Sequence, residues 1–371
     1  MNELRIGNLI VKTPIIQGGM GVCVSLSGLA SAIANEGGIG VISAVGIGMT
    51  EPDFKKNLRE ANKKALKKEI RKSRLKTNGI IGVNIMLAAS DFDELLEIAL
   101  NAHVDVVFIG AGLPLKKPSN IQKSLLECTN TKIIPKVSSA RAAKLIFKHW
   151  SEKYNRIPDA IVVEGPLSGG HQGFKKEELN NPEINLTTIV RNTVYEMSFF
   201  EQKYGAEIPV IAAGGIYSGK DIYNIMSVGA KGVKMGTRFV TTNECDASIE
   251  FKQNYLSCIA SDITIIDSPV GLPGRVITNN FVQEIQSGKR KPISCPWKCL
   301  KTCDFRSVQF CIAEALFNAA QGNFSKGFSF AGTNAYLAKK IISVKDTFQE
   351  IKEEYYHEAM QEHSIKTRIN C

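Results

Sequence analysis

Glycines, an acid and a histidine follow directly after a strand-like run in the middle of the chain. The run Ala160–Val163 is apolar and predicts a buried strand. The next ten residues, Glu164–Gly173, contain four glycines and His171. Glycines let the backbone approach a ligand closely, and histidine can transfer a proton near neutral pH. The segment therefore predicts a ligand site with acid–base chemistry, although a glycine-rich turn with a surface histidine is the simpler alternative.

The same kinds of residue follow the other strand-like runs of the chain. In chain order they are Gln17, Gly18, Gly19 and Met20 after the first run, Ser43–Ala44 after the second, Asn84 near the end of the third, Gly110–Gly112 after the fourth, Lys136 in the fifth, Gly214–Gly215 after the seventh and Gly236–Thr237 after the eighth. A barrel of parallel strands builds its active site at the carboxyl ends of the strands. The recurrence indicates that these residues share one functional face.

These residues require a scaffold in which strands alternate with helices. The strand-like runs are Ile15–Gln17, Ile39–Ser43, Ile81–Met86, Asp105–Ile109, Ile133–Val137, Ala160–Val163, Val210–Ala213 and Gly232–Met235. Helical patterns lie between them at 26–35, 92–101, 141–150, 186–203 and 220–227. Eight strands within about 240 residues predict an α/β fold, a (β/α)8 TIM barrel, rather than an open doubly wound sheet.

The barrel is predicted to end before the chain does. We assign residues 1–242 to it and residues 243–371 to a C-terminal helical extension, with helical patterns at 246–260, 307–321 and 345–360. No polar linker separates the two parts. The extension is therefore expected to pack on the barrel mouth as a cap and not to fold independently.

Charge and hydropathy exclude several classes of protein. The net charge of +10 is concentrated in the segment 54–76, whose apolar residues keep a helical spacing, so it predicts a solvated outer helix face and no nucleic-acid groove. No run is long and apolar enough to cross a membrane. The N-terminus lacks a secretion signal. We expect a cytoplasmic protein that acts on a small molecule, with a homodimer and a monomer both open.

Two nucleotide-binding motifs are excluded. The segment Gly214–Lys220 nearly matches a Walker A loop, but the next residue is Asp221, where a serine or threonine would hold Mg²⁺. No G-x-G-x-x-G sequence occurs, so a Rossmann domain has no support. The glycines after the seventh and eighth strands are instead suited to a phosphate cradle of the barrel type.

Four of the nine cysteines lie close together, at Cys295, Cys299, Cys303 and Cys311. A chain without secretory features predicts reduced thiols or a metal site and no disulfide framework. The spacing matches neither zinc pairs nor iron–sulfur motifs cleanly. Both alternatives stay open, and we expect packed, reduced thiols without a metal.

Six motifs in order make the chain resemble the nitronate monooxygenase (2-nitropropane dioxygenase) family, which includes the FMN-dependent enoyl-acyl-carrier-protein reductase. They are 14–21, 82–84, Gly110–Gly112, Glu164–Gly165 with Gly169–Gly173, 211–216 and Gly236–Phe239. The resemblance covers residues 10 to 240 well and extends more loosely to about 340. It implies a TIM barrel that binds FMN non-covalently.

The resemblance also implies roles for individual residues. Gly19 and Met20 would lie along the flavin ring and Asn84 would contact it, with Gln17 and Gly18 helping to position the ring. Gly169 and Gly170 would cover the ribityl side after Glu164, and the phosphate would be bound by Gly214, Gly215, Gly236 and Thr237. Lys136 is expected near the pyrimidine edge, where a positive charge stabilises reduced flavin, unless it merely extends from its strand end.

His171 matches the catalytic histidine of the family. A nitroalkane must lose an α-proton, and an enoyl thioester must gain one after hydride delivery; a histidine serves either task. The expected reaction is oxidation of alkyl nitronates with O2 to a carbonyl compound and nitrite. The alternatives are an NAD(P)H-dependent enoyl-thioester reductase and a non-enzymatic flavin-binding subunit.

Overall fold

Eight parallel strands close into a barrel. The computed structural model describes residues 1–115, 130–289, 295 and 297–369. The barrel strands are β3 (Ile15–Gln17), β4 (Ile39–Ser43), β5 (Ile80–Met86), β6 (Val106–Gly110), β7 (Lys132–Val137), β8 (Ile161–Glu164), β10 (Val210–Ala213) and β11 (Gly232–Met235). They pair in this order, and β11 returns to β3. The predicted (β/α)8 barrel is confirmed.

Helices cover the outside of the barrel. They are α1 (Ser27–Asn35), α2 (Leu58–Lys76), α3 (Phe92–Asn101), α4 (Ala140–Tyr154), α5 (Leu186–Tyr204), α6 (Gly219–Ser227) and the short α7 (Thr237–Val240). The basic segment forms α2, which buries Leu58, Ala61 and Ile70 on one face. Its Lys64 and Lys68 bind Glu51 at 2.8 and 2.9 Å. This outer helix has the amphipathic form that its sequence predicts.

Side chains fill the barrel in layers, and a hairpin closes its lower end. Ile16, Val41, Phe108, Ile134, Val162 and Ile211 are fully buried in the interior. The same cluster includes Leu4, Ile6 and Val11 from the antiparallel hairpin β1 (Leu4–Ile6) and β2 (Leu9–Val11). A Cβ on Gly232, the first residue of β11, would lie 3.0 Å from the Leu4 side chain. The hairpin therefore seals the amino ends of the strands and leaves the carboxyl ends open.

The remaining elements surround the open end. They are β9 (Gly170–His171), α8 (Ile249–Ser257), β12 (Ile263–Asp267), β13 (Pro273–Ile277), α9 (Asn280–Gln286), α10 (Ile312–Ala320) and α11 (Val344–Ile369). Helix α11 packs outside the barrel on α6 and α1. The predicted helical extension is confirmed, and it also contains β12 and β13, an antiparallel hairpin that adds β9 as a third strand. No helix within the described residues is long and apolar enough to span a bilayer.

Candidate functional site

A cavity of about 500 Å³ opens at the carboxyl ends of the barrel strands. The structure brings almost all of the predicted site residues to its wall. These are Gly18, Gly19, Met20, Asn84, Lys136, Glu164, Gly169, Gly170, His171, Gly214, Gly215, Gly236 and Thr237. They come from different strand ends that lie far apart in the sequence. Its volume lies within the range of about 300–1,000 Å³ that is usual for small-molecule sites.

Gln17 is the predicted site residue that does not line the cavity. Its side chain is fully buried, donates to Ser25 Oγ at 2.8 Å, and accepts a hydrogen bond from the backbone N–H of Val41 at 2.9 Å. The Gln17 amide also donates to the carbonyl of Gly18. Gln17 therefore holds the turn after β3 in place from behind.

Two glycines bring that turn close to its neighbours. A Cβ on Gly19 would clash with Asn84, whose Cγ would lie 2.9 Å away. A Cβ on Gly18 would lie 3.1 Å from the Gly236 Cα, and the Gly18 N–H donates to Met235 O at 2.7 Å. Only glycine permits the close approach of Gly18 to the Gly236 backbone and of Gly19 to the Asn84 side chain. The ends of β3, β5 and β11 thereby pack closely together.

The cavity floor carries three charged side chains. Lys136 Nζ on β7 binds Glu164 Oε2 on β8 at 2.8 Å. Lys234 on β11 is buried, and its Nζ lies 3.7 Å from the centroid of the Phe108 ring without a hydrogen-bond partner in the described structure. Burial, and then the charge of Lys136, lower the pKa of Lys234 to about 7, although Glu164 opposes this shift. Sequence reasoning missed Lys234, although a lysine inside a barrel strand was a visible signal.

His171 lies on β9, beside the cavity. Its Nε2 lies 2.7 Å from Ser268 Oγ, and its ring packs edge-on against Phe330 with centroids 4.9 Å apart. Burial first, and Lys136 second, lower the pKa of His171 from 6.5 to about 4. The imidazole is therefore neutral at pH 7 and can accept a proton but is a weak base. Ser268 and Phe330 come from the extension and had no signal of their own in the sequence.

The glycine loop before β9 is held by the extension. A Cβ on Gly169 would lie 2.6 Å from the backbone of Ala331 and Gly332. The buried Arg275 donates from Nη1 to the carbonyls of Pro166 and Ser168, at 2.7 and 2.6 Å. These contacts fix the loop over the cavity. A lone arginine in an unassigned hairpin did not predict this role.

A second glycine pair packs against this loop, since a Cβ on Gly214 would lie 2.8 Å from Gly165 O and a Cβ on Gly215 would lie 2.9 Å from the Leu167 Cβ. Gly214 and Gly215 adopt φ values of +91° and +82°, which favour glycine. The Asn334 side chain donates to Gly215 O at 2.9 Å, and Thr237 Oγ1 accepts from the Gly332 N–H at 3.0 Å. Space remains beside Gly236, where a Cβ would be 3.5 Å from the Met20 sulfur. The arrangement fits an anionic group such as a phosphate held largely by backbone.

The part of the cavity wall that the extension contributes is apolar. It includes Phe251 and Tyr255 of α8, Ile312 and Leu316 of α10, and Phe330. The Tyr255 hydroxyl donates to the Phe330 carbonyl, so its polar end is satisfied away from the ligand. All five residues belong to the extension. The barrel thus supplies the polar floor and the extension supplies an apolar wall.

The four clustered cysteines lie beside this site. Cys295, Cys299, Cys303 and Cys311 line one small separate cavity, and Cys299 also lines the main one. All four are free thiols, and burial raises the pKa values of Cys299, Cys303 and Cys311. Within the described part of the chain, no three His, Cys, Asp or Glu side chains are arranged to hold a metal ion. The expectation of metal-free thiols stays a prediction.

Known proteins resemble this chain over most of its length. The nitronate monooxygenase family model matches residues 2–354. A probable nitronate monooxygenase of Staphylococcus aureus is 29% identical over 312 residues, which cover 76% of this chain and 81% of the relative. The (3aS,4S,5R,7aS)-5-hydroxy-7a-methyl-1-oxo-octahydro-1H-indene-4-carboxyl-CoA dehydrogenase of Rhodococcus jostii is 28% identical over 276 residues, 74% of this chain. The match spans only 65% of that enzyme's length.

Solved structures show the same fold. FabK from Thermotoga maritima superimposes with a TM-score of 0.72 at 28% identity and covers 96% of both chains. The nitroalkane oxidase of Streptomyces ansochromogenes superimposes with a TM-score of 0.71 at 19% identity, over 94% of this chain and 97% of the other. At that identity the second likeness supports the fold alone.

Proposed function

This chain belongs to the nitronate monooxygenase family and is an oxidoreductase, and we propose that its cofactor is FMN. One observation carries the proposal: the glycine-rich ends of the barrel strands converge on one cavity whose lining includes Lys136, Glu164 and Lys234. The open backbone at Gly18–Met20 leaves room for a flat ring. The glycine pair Gly214–Gly215 and the space beside Gly236 suit a phosphate.

The residues of the cavity divide the work of binding between them. Gly19, Met20 and Asn84 would hold the ring, with Gln17 supporting their turn from behind. Gly169 and Gly170 would cover the ribityl chain, and Gly214, Gly215, Gly236 and Thr237 would bind the phosphate. Bound FMN would supply the acceptance and release of electron pairs that no side chain offers. Lys136, paired with Glu164, would face the ring from the floor.

We propose oxidation of an alkyl nitronate with O2, giving a carbonyl compound and nitrite, as the reaction. A neutral His171 can take the α-proton of a nitroalkane, because its depressed pKa keeps the imidazole unprotonated at pH 7. Lys234 in its ammonium form would attract the resulting anion. Phe330 against the His171 ring, and the Ser268 hydroxyl on Nε2, hold the imidazole in one orientation.

A specific observation also favours a second reaction, reduction of an enoyl thioester with NAD(P)H. The cavity wall that the extension contributes is apolar and consists of Phe251, Tyr255, Ile312, Leu316 and Phe330. An apolar wall suits an acyl chain better than a small nitronate. The similarity to a CoA-thioester dehydrogenase and to FabK supports this alternative. His171 would then have to deliver a proton to the product, for which its neutral form must first be protonated.

The purified protein tests the cofactor directly. We expect a yellow protein with about one FMN per chain, released by heat as FMN and not as FAD. A Gly236→Asp variant should lose the flavin, because a carboxylate at the phosphate position repels it. Gly236→Ala, whose Cβ would come no closer than 3.5 Å to the Met20 sulfur, adds volume without charge; it is the matched control and should keep the flavin. A colourless wild-type protein that takes up no added FMN contradicts the proposal.

A further inference from the structure

We propose that Lys234 takes up a proton when the bound cofactor is reduced, and that it thereby sets how many protons accompany each electron pair. This inference rests on the proposed FMN site. It concerns a residue on the eighth barrel strand that the sequence motifs did not include.

The position of Lys234 makes it the unpaired cation of the floor. On β11 it faces the barrel interior, where its Nζ lies over Phe108 at 3.7 Å. Its ammonium group has no hydrogen-bond acceptor in the described structure, although it lines the cavity. Burying an amine without an acceptor is costly unless a ligand provides one or the amine loses its proton. The geometry therefore points to a group that changes state with the ligand.

Lys136 is not free to change its ionisation state in this way. Glu164 binds it at 2.8 Å, so the pair is neutral as a unit. Within the described structure, these two residues, on β7 and β8, are the charged groups that shift the pKa of Lys234. The strands that flank β11 place the uncharged Ala213 and Ile16 beside Lys234. The net charge of the floor thus depends on Lys234.

Reduction of a cofactor in the cavity can change the ionisation state of Lys234. Its lowered pKa of about 7 leaves much of the amine neutral above that pH. A negative charge that appears in the cavity favours the ammonium form by direct attraction. The Nζ atom of Lys234 is itself buried, so a proton must be passed to it through the cavity that the residue lines.

The proton balance differs with and without this residue. Two electrons from a reductant and one proton convert FMN into its anionic reduced form. If the neutral Lys234 amine binds a further proton from solvent, the whole protein takes up two protons for the electron pair. Each proton contributes about 30 mV per pH unit to the slope of a two-electron potential, so the slope doubles.

The test is the midpoint potential of FMN in the loaded protein, measured with dithionite and indicator dyes between pH 6 and 9. For the wild type we expect the slope above pH 7 to be twice that of Lys234→Met. The Glu164→Gln variant removes the charge that raises the Lys234 pKa, so its steep region should begin at lower pH. It serves as the second readout if Lys234→Met does not fold.

A matched control separates this effect from the loss of any buried lysine. Lys252 is also buried, but it donates to Asn243 O at 3.1 Å and does not line the cavity. Lys252→Met should keep the wild-type slope. A loaded wild-type protein with the single-proton slope above pH 7 overturns the inference and leaves the FMN assignment intact. Failure to bind FMN at all overturns both.

Discussion

At the scale of single residues, burial decides the chemistry of the site. The sequence predicts His171 as a group that titrates near neutral pH, because an exposed histidine does so. In the structure, packing by Phe330 and the neighbouring Lys136 lower its pKa to about 4. Phe330 lies far along the chain from His171, so no local pattern contains this information. The motif identified the residue, and only the tertiary contacts define its protonation state.

Replacing His171 tests its role as a base. In a His171→Asn variant we expect FMN to stay bound and turnover of a neutral nitroalkane to fall by about 10²–10⁴-fold. Turnover of a preformed nitronate should fall less, because this substrate has already lost its α-proton. The turnover rate of the wild type should decrease on the acid side only as the pH falls toward about 4, because His171 becomes protonated there. Steady-state rates with both substrates across pH 4.5 to 9 provide the measurement.

His357 offers a control of the same residue type. It lies exposed on α11 and contacts Gln361, so His357→Asn should leave both rates unchanged. A His171→Asn variant that turns over a neutral nitroalkane at the wild-type rate would show that another group removes the proton. An acid limb near pH 6.5 would show that the depressed pKa is wrong.

At the scale of elements, the extension holds the barrel loops through contacts that are far apart in sequence. Strand β9 has only two residues, and it exists because β13 pairs with it. The Asp246 carboxylate accepts hydrogen bonds from the N–H groups of Leu26, Gly28 and Leu29 at the start of α1. A local capping rule misses this cap, because the residue at the helix start is a leucine. The extension therefore contributes to the barrel itself as well as covering it.

The cysteine segment is an element whose chemistry is predicted but untested. Hydrogen bonds tie it to the loop after β5, from Ser90 N to Cys299 O at 3.0 Å and from Lys301 N to Ala88 O at 2.8 Å. We expect reduced thiols without a metal. Iron, zinc and acid-labile sulfide should be below stoichiometric amounts in protein prepared without oxygen, since an iron–sulfur cluster can be lost in air.

Cys258 provides the comparison for this measurement. It is a buried free thiol outside the cluster, so Cys258→Ser should not alter metal content. Near-stoichiometric iron or zinc that disappears in Cys299→Ser but persists in Cys258→Ser would mean that the cluster binds metal and that our expectation is wrong.

At the scale of the whole molecule, the barrel was predictable and its closure was not. Alternating apolar runs and helical patterns determine the strands to within a residue or so, because each run is buried on both faces. The hairpin β1–β2 has strands of three residues each, too short for a periodic signal. Strands β12 and β13 lie between the predicted helical segments 246–260 and 307–321, where no element was predicted. The ionisation state of Lys234 was not predictable from the sequence either, because it depends on residues of three other strands, Phe108, Lys136 and Glu164.

The cavity combines a floor of charged side chains with an apolar wall from the extension, and these two parts separate the two candidate reactions. A nitronate monooxygenase needs the floor, because Lys234 in its protonated form attracts a small anion. Propionate 3-nitronate should then bleach the flavin absorbance rapidly without oxygen, and NADH slowly or not at all. We expect this order from the family to which the chain belongs. A thioester reductase needs the apolar wall. Its flavin should be bleached rapidly by NADH or NADPH, and slowly or not at all by the nitronate.

A variant in the apolar wall distinguishes the two reactions. Leu316 lies on the apolar wall contributed by α10, far from the floor residues in sequence. Leu316→Asp should weaken use of a long enoyl thioester, because it places a charge against the acyl chain. Oxidation of a small nitronate should change little. Rapid anaerobic reduction by NAD(P)H, reoxidation by an enoyl thioester, and loss of that reoxidation in Leu316→Asp would together establish the reductase and contradict nitronate oxidation as the main activity.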